Sequence, residues 1–182
     1  MFFKRWFGPN PVTQKGRSLY AAAVLQARTA AFYRDLKVPD TLEGRFELYS
    51  LHVVLILHRL KGQDPVAQEI GQALFKAYIQ ALDSALREMG VGDLSMAKKM
   101  RKLGEAFYGR IKAYDLALSA LPDRTELLSV IGRTVYAEVQ DAPVNLLCQY
   151  ALDGVEALSG QDVCQQDTLT WPSIPSNKKE PS

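Results

Sequence analysis

Two histidines, His52 and His58, are the only imidazoles in the chain, and imidazole is the side chain best suited to proton transfer or zinc binding near neutral pH. Their spacing of six positions turns them onto different faces of a helix, so they cannot share a metal as an i,i+4 pair does. Glu43 and Glu47 do share a face. No Glu-x-x-His motif follows them and no second carboxylate helix matches them, which leaves a di-iron bundle unsupported. A negative first turn facing the helix dipole accounts for both. Gly90-Val91-Gly92 follows an expected helix rather than a strand, and no Gly-Lys-Ser/Thr completes a phosphate loop. No Gly-x-Ser-x-Gly elbow occurs. Cys148 and Cys164 flank an apparent boundary and fit neither a disulfide framework nor a zinc site, so both read as reduced thiols. These residues point to no enzyme, cofactor, metal or small-molecule substrate.

What remains is binding. Lys98, Lys99, Arg101 and Lys102 crowd five positions, with Glu105 the only acid in the next turn. A solvated helix face explains such a run, and so does a patch facing ribosomal RNA, acidic lipid or an acidic protein loop. Just beyond, Gly104 and Gly109 flank Phe107, Tyr108 and the turn leading to Arg110. Glycine inside a helix costs about 1 kcal/mol relative to alanine, so these two ask for a reason. Close approach of a neighbouring helix is one; a shallow groove for a partner, with Tyr108 and Arg110 as anchors, is the other. The opening Phe2, Phe3, Trp6 and Phe7 with Lys4 and Arg5 suit a membrane interface, and a frayed end accounts for them equally well.

The elements that must position these residues are helices. Asn10-Pro11 starts one through about Leu36, which Lys37-Val38-Pro39 ends. Asp40 with Glu43 resembles a capping box for a second, to about Lys61, apolar on nearly all sides and therefore central. Asp64-Pro65 opens a third, stopped by Gly90 in the left-handed conformation. Asp93 or Ser95 caps a fourth whose Met96, Met100, Leu103, Phe107, Ile111, Tyr114 and Leu118 recur at three- and four-residue intervals. The short link at Gly90-Val91-Gly92 makes the third and fourth antiparallel neighbours. A fifth runs from Asp123 to about Val139, and a sixth from Asp141-Ala142-Pro143 to near Gly160.

The expected fold is all-α: a single-domain bundle of about six helices with a flexible C-terminal tail. Residues 1–10 form the aromatic and basic segment, 11–160 the helical domain, and 161–182, rich in Gln, Asp, Ser, Pro and Lys, the tail. With 182 residues, 47% of them hydrophobic, and a net charge of +2, one core is the default and global charge selects no partner. The longest apolar run, Val53 to Leu57, is far short of the roughly 20 residues of a membrane span. No apolar stretch at the start is long enough for a signal peptide, so a cytoplasmic protein, peripheral to the inner membrane at most, is expected.

The block Leu86-Arg87-Glu88-Met89-Gly90-Val91-Gly92-Asp93-Leu94-Ser95, running through Lys98-Lys99-Met100 into Glu105-Ala106-Phe107-Tyr108-Gly109-Arg110, resembles the signature of the ubiquinol-cytochrome c chaperone family. Gly44-Arg45-Phe46-Glu47-Leu48, followed by His52 and Arg59-Leu60, is also similar to that family. The resemblance covers about Leu19 to Leu158. It implies an assembly factor for ubiquinol-cytochrome c reductase that binds newly made cytochrome b near the ribosome, and a bacterial-type member. The protein-binding residues it selects are Met89, Gly90, Val91, Gly92 and Asp93, then Tyr108 and Arg110, then Phe46, Glu47 and His52; Lys98, Lys99, Arg101 and Lys102 would steer toward anionic surfaces. A helical nucleic-acid-binding module using the basic face of the fourth helix is the alternative.

Overall fold

A computed structural model describes residues 10–137 and 139–175. Regular structure among them is entirely helical: α1 (Pro11–Ala27), α2 (Ala30–Arg34), α3 (Leu42–Leu60), α4 (Pro65–Glu88), α5 (Asp93–Ser119), α6 (Thr125–Thr134) and α7 (Val144–Ser159). The aromatic and basic segment through Pro9 lies outside the described residues.

The central helix is α3. Every residue from Ser50 to Ile56 is buried, because α1, α4, α5 and α7 all pack against it. Its N-cap is Thr41, whose hydroxyl accepts from the Gly44 amide at 3.1 Å. Asp40, expected to cap, instead pairs with Arg45 at 2.6 Å. Gly44 comes so close to the preceding loop that a Cβ there would lie 2.0 Å from the Pro39 carbonyl oxygen. Asp64 caps α4 through the Ala67 amide at 2.8 Å, and Gly90 ends that helix with φ +77°, as the sequence predicts. Helices α4 and α5 then run antiparallel, with Phe107 stacked on Phe75 at 5.5 Å and edge-on to Tyr78 at 4.2 Å.

Two expectations divide. The helix predicted from Val12 to Leu36 breaks at Thr29, which has extended geometry (φ −60°, ψ 125°). The break redirects the chain so that Phe32, fully buried, meets His52 and Tyr150 edge-on at 5.3 and 4.9 Å. The segment expected to be a mobile tail also splits. Residues 161–175 lie against the bundle: Val163 is buried, and Gln161 exchanges hydrogen bonds with the Thr170 backbone, both at 2.8 Å. Composition hides this, since Val163, Leu169, Trp171 and Ile174 are spaced along irregular chain, where no periodicity marks them. Residues 176–182 lie outside the described residues.

α1 runs alongside α4 in the same direction, with Gly16 against Ala73 and Leu74, and Tyr20 beside Tyr78 at 5.9 Å. A Cβ on Gly16 would fall 2.5 Å from the Ala73 carbonyl carbon, whereas Gly109 in α5 has nothing within 4 Å. Gly16→Ala is therefore expected to destabilise the fold by about 1–3 kcal/mol through forced separation of two backbones. Gly109→Ala stabilises it by up to about 1 kcal/mol through helix propensity. Urea denaturation of both variants checks the opposite signs.

Candidate protein-binding site

Between the α4–α5 pair and the surface of α3 lies an open groove with a volume of about 480 Å³. Its floor is Val54, Leu57 and Leu60 of α3; one wall is Ala67, Gly71 and Phe75 of α4, the other Tyr108 and Ile111 of α5. These side chains are apolar except at the rim. There Lys61 donates to both oxygens of Asp115 at 2.8 and 2.7 Å. His58 Nδ1 sits 3.8 Å from the same carboxylate, too far for a hydrogen bond, and this buried nitrogen has no partner among the described residues. A Cβ on Gly71 would make only ordinary contacts with Leu57 and Leu60 at 3.7 and 3.8 Å, so the approach of α4 to α3 does not require glycine there.

The candidate residues from the sequence fall in four places. Tyr108 is on the groove wall, 59% exposed, with the Lys112 ammonium 5.9 Å from its ring centre. The turn from Met89 to Asp93 forms the exposed tip of the α4–α5 hairpin. Met89 is 52% exposed, the Val91 amide closes onto the Leu86 carbonyl at 3.0 Å, and Gly92 is the N-cap of α5. Arg87 ties the tip together by pairing with Asp83 at 2.8 Å and Asp93 at 3.3 Å. Lys98, Lys99, Arg101 and Lys102 are all exposed on α5 and form no ion pair among the described residues. No helix approaches Gly104 or Gly109, each of which has nothing within 4 Å, so close helix packing does not explain those glycines.

Phe46, Glu47, His52 and Arg110 act from within. Phe46 is half-buried and stacks on Tyr78 at 6.3 Å. Glu47 is buried and receives both arms of Arg110 at 2.7 and 2.6 Å, joining α3 to α5. That pairing raises the Arg110 guanidinium further above its ordinary range.

His52 corrects the expectation of a surface role: with no exposure, it has nothing to present to a partner. It belongs to a directional chain of hydrogen bonds. Gln26 Nε2 donates to Tyr150 Oη at 3.0 Å. The Tyr150 hydroxyl donates to His52 Nε2 at 2.9 Å, and His52 Nδ1 donates to the Leu48 carbonyl at 2.8 Å. The carbonyl can only accept, which fixes the direction and the neutral tautomer. Trp171 closes the cluster, edge-on to His52 at 5.0 Å.

Sequence reasoning missed the groove floor and most of its walls. Leu57 and Ile111 sit in apolar stripes that look like core. Among the described residues no group of His, Cys, Asp and Glu is arranged to hold a metal. Cys148 and Cys164 are free thiols, each raised above the ordinary range chiefly by burial.

A helical bundle with one open apolar groove has the build of a binding module, and comparison with known proteins specifies the family. Residues 34–165 match the family model described as ubiquinol-cytochrome C chaperone. The crystal structure of the Cbp3 homolog from Brucella abortus superposes with a TM-score of 0.79 at 31% identity, covering 90% of this chain and 92% of that one. Ubiquinol-cytochrome-c reductase complex assembly factor 1 of Xenopus laevis is 23% identical over 158 residues, covering 84% of this chain and 78% of that protein. The corresponding factors of Mus musculus and Homo sapiens are also 23% identical, and the chain spans about half their length, 53% and 52%. The chain thus belongs to the ubiquinol-cytochrome c chaperone family, and these vertebrate relatives are named as assembly factors of the reductase complex.

The buried imidazole gives a pH test. Burial drives the His52 pKa down from 6.5 to about 4, against the Leu48 hydrogen bond, which acts to raise it. The unfolded chain binds this proton more readily, so the stability from neutral His52 is complete above pH 6.5 and is lost as pH falls toward 4. The loss is on the order of 3 kcal/mol. Urea midpoints across that window should fall more steeply for the wild type than for His52→Gln; parallel curves would contradict the assignment.

Proposed function

We propose that this chain holds newly made cytochrome b at the groove beside Tyr108 and promotes assembly of the ubiquinol-cytochrome c reductase complex. The single observation that carries the reading is the open apolar groove on α3, walled by α4 and α5, on a chain of this family. A cavity of this size accepts a few apolar side chains of a client segment, not a folded domain. Tyr108 and Ile111 anchor that segment, the Met89 to Asp93 turn extends the contact surface, and the α5 cations draw acidic or anionic surfaces toward it. Glu47 and Arg110 hold α5 in place over α3, Phe46 packs α3 against Tyr78 of α4, and His52 holds the far side of α3.

A chaperone of this kind must bind the immature client more tightly than the finished one, because equal affinity would shift no population. A short apolar segment, open before assembly and covered after it, supplies that difference. The alternative of a nucleic-acid-binding module is supported by the four α5 cations without carboxylate partners. Against it, Tyr108 is the only aromatic side chain exposed on that helix face, so no row of rings offers stacking for bases.

The test is affinity capture of the tagged chain from cells making the reductase. Cytochrome b should co-purify, and Ile111→Asp, at a partly exposed position in the groove, should reduce its recovery about tenfold or more, as loss of an interface anchor does. Helical content should be unchanged. Capture that recovers no cytochrome b, or recovery indifferent to Ile111→Asp, contradicts the proposal.

A further inference from the structure

The outer face of α5 contains a second surface, which shares Tyr108 with the groove wall. At 100° per residue, Leu94, Lys98, Arg101, Lys102, Tyr108, Lys112 and Leu116 fall within an arc of roughly 120°. The opposite arc holds the buried Met96, Phe107, Tyr114 and Leu118. From Leu94 to Leu116 this face extends about 33 Å along the helix.

Two features set it apart from an ordinary solvated helix. Its cations have no carboxylate partner among the described residues, and the only acid within the arc is the exposed Glu105. Lys99, roughly 60° beyond this arc, is a further exposed cation without an ion pair among the described residues. Large apolar side chains also stand exposed along the same face: Leu94 at 103% exposure and Leu116 at 66% at its two ends, and Tyr108 at 59% among the charges. Met89 continues the apolar series onto the hairpin tip at 52%.

We infer that this face lies flat on an anionic lipid bilayer. Leucine and tyrosine side chains would enter the boundary between headgroups and acyl chains while lysine and arginine stay with the phosphates, the division of labour of an interfacial helix. A nucleic acid would use the cations but leave the leucines idle. An acidic protein would call for a shaped, packed centre, which a convex helix face with isolated apolar side chains does not supply. No helix among the described residues is long and apolar enough to cross a membrane, so the attachment is peripheral. Tyr108 belongs both to this face and to the groove wall, so α5 lying on the bilayer sets the mouth of the groove beside the lipid surface.

The experiment is vesicle flotation with the full chain. It should float with mixed phosphatidylglycerol–phosphatidylcholine vesicles, not with phosphatidylcholine alone, and release as salt rises. Lys98→Glu with Arg101→Glu should weaken flotation at least ~tenfold, and Leu94→Ser with Leu116→Ser should weaken it severalfold without changing its salt dependence. Because all four positions are exposed, circular dichroism should be unchanged, and Ile111→Asp in the groove should float like the wild type. Flotation that ignores lipid charge, survives the charge reversal or is indifferent to the leucine pair would overturn the inference. So would failure to float by a chain that binds single-stranded RNA through the same cations, which would assign the face to nucleic acid.

Discussion

The Glu47–Arg110 ion pair decides where α5 sits. A carboxylate buried to 7% exposure is tolerable only with its charge and both oxygens matched, and Arg110 does this with two parallel donors at 2.7 and 2.6 Å. Removing one partner of such a pair costs about 3–5 kcal/mol where both groups are buried, and less here because Arg110 remains 28% exposed. A second tie between the same helices, Lys61 to Asp115, is exposed on the lysine side and contributes little to stability. The groove opens along the stretch between these two ties, floored by Val54 and Leu57 and walled by Tyr108 and Ile111. Its shape therefore follows from a polar contact whose geometry leaves α5 little freedom to rotate.

The other side of α3 is built in the opposite way. There the Gln26–Tyr150–His52–Leu48 chain is enclosed by Phe32 and Trp171. Both ring nitrogens of His52 and the Tyr150 hydroxyl have partners, so burying them costs little and α1, α3 and α7 are tied to one another, while the neighbouring Trp171 indole nitrogen is buried without a partner among the described residues. A central helix fixed in this way suits a binding surface, since a client meets an ordered floor rather than one it must organise.

Much of this architecture was legible in the sequence. The all-round apolar character of α3 announced its central position, Gly90 its left-handed stop, and the two-helix hairpin followed from the short link after it. The misses are local or tertiary. Asp40 and Thr41 are equally good caps on paper, and the approach of Gly44 to the Pro39 carbonyl goes with the choice of Thr41. The break at Thr29 follows from where Phe32 must go, and the packing of residues 161–175 from isolated apolar residues without a period. For the site, Tyr108 and the Met89 turn were legible because both combine exposure-type residues with backbone punctuation. Glu47 and His52 carried the same motif signal, yet their polar atoms are spent inside the protein. Leu57 and Ile111 could not be told from core residues, because only the placement of α4 and α5 leaves them uncovered.

Site-specific photo-crosslinking in cells making the reductase tests the central claim most directly. A photoreactive residue in place of Tyr108 is predicted to trap cytochrome b. The same residue in place of Leu25, equally accessible at 76% exposure but on α1, is predicted not to. Equal adducts from both positions, or none to cytochrome b from Tyr108, would contradict the assignment of the groove as the client-holding surface.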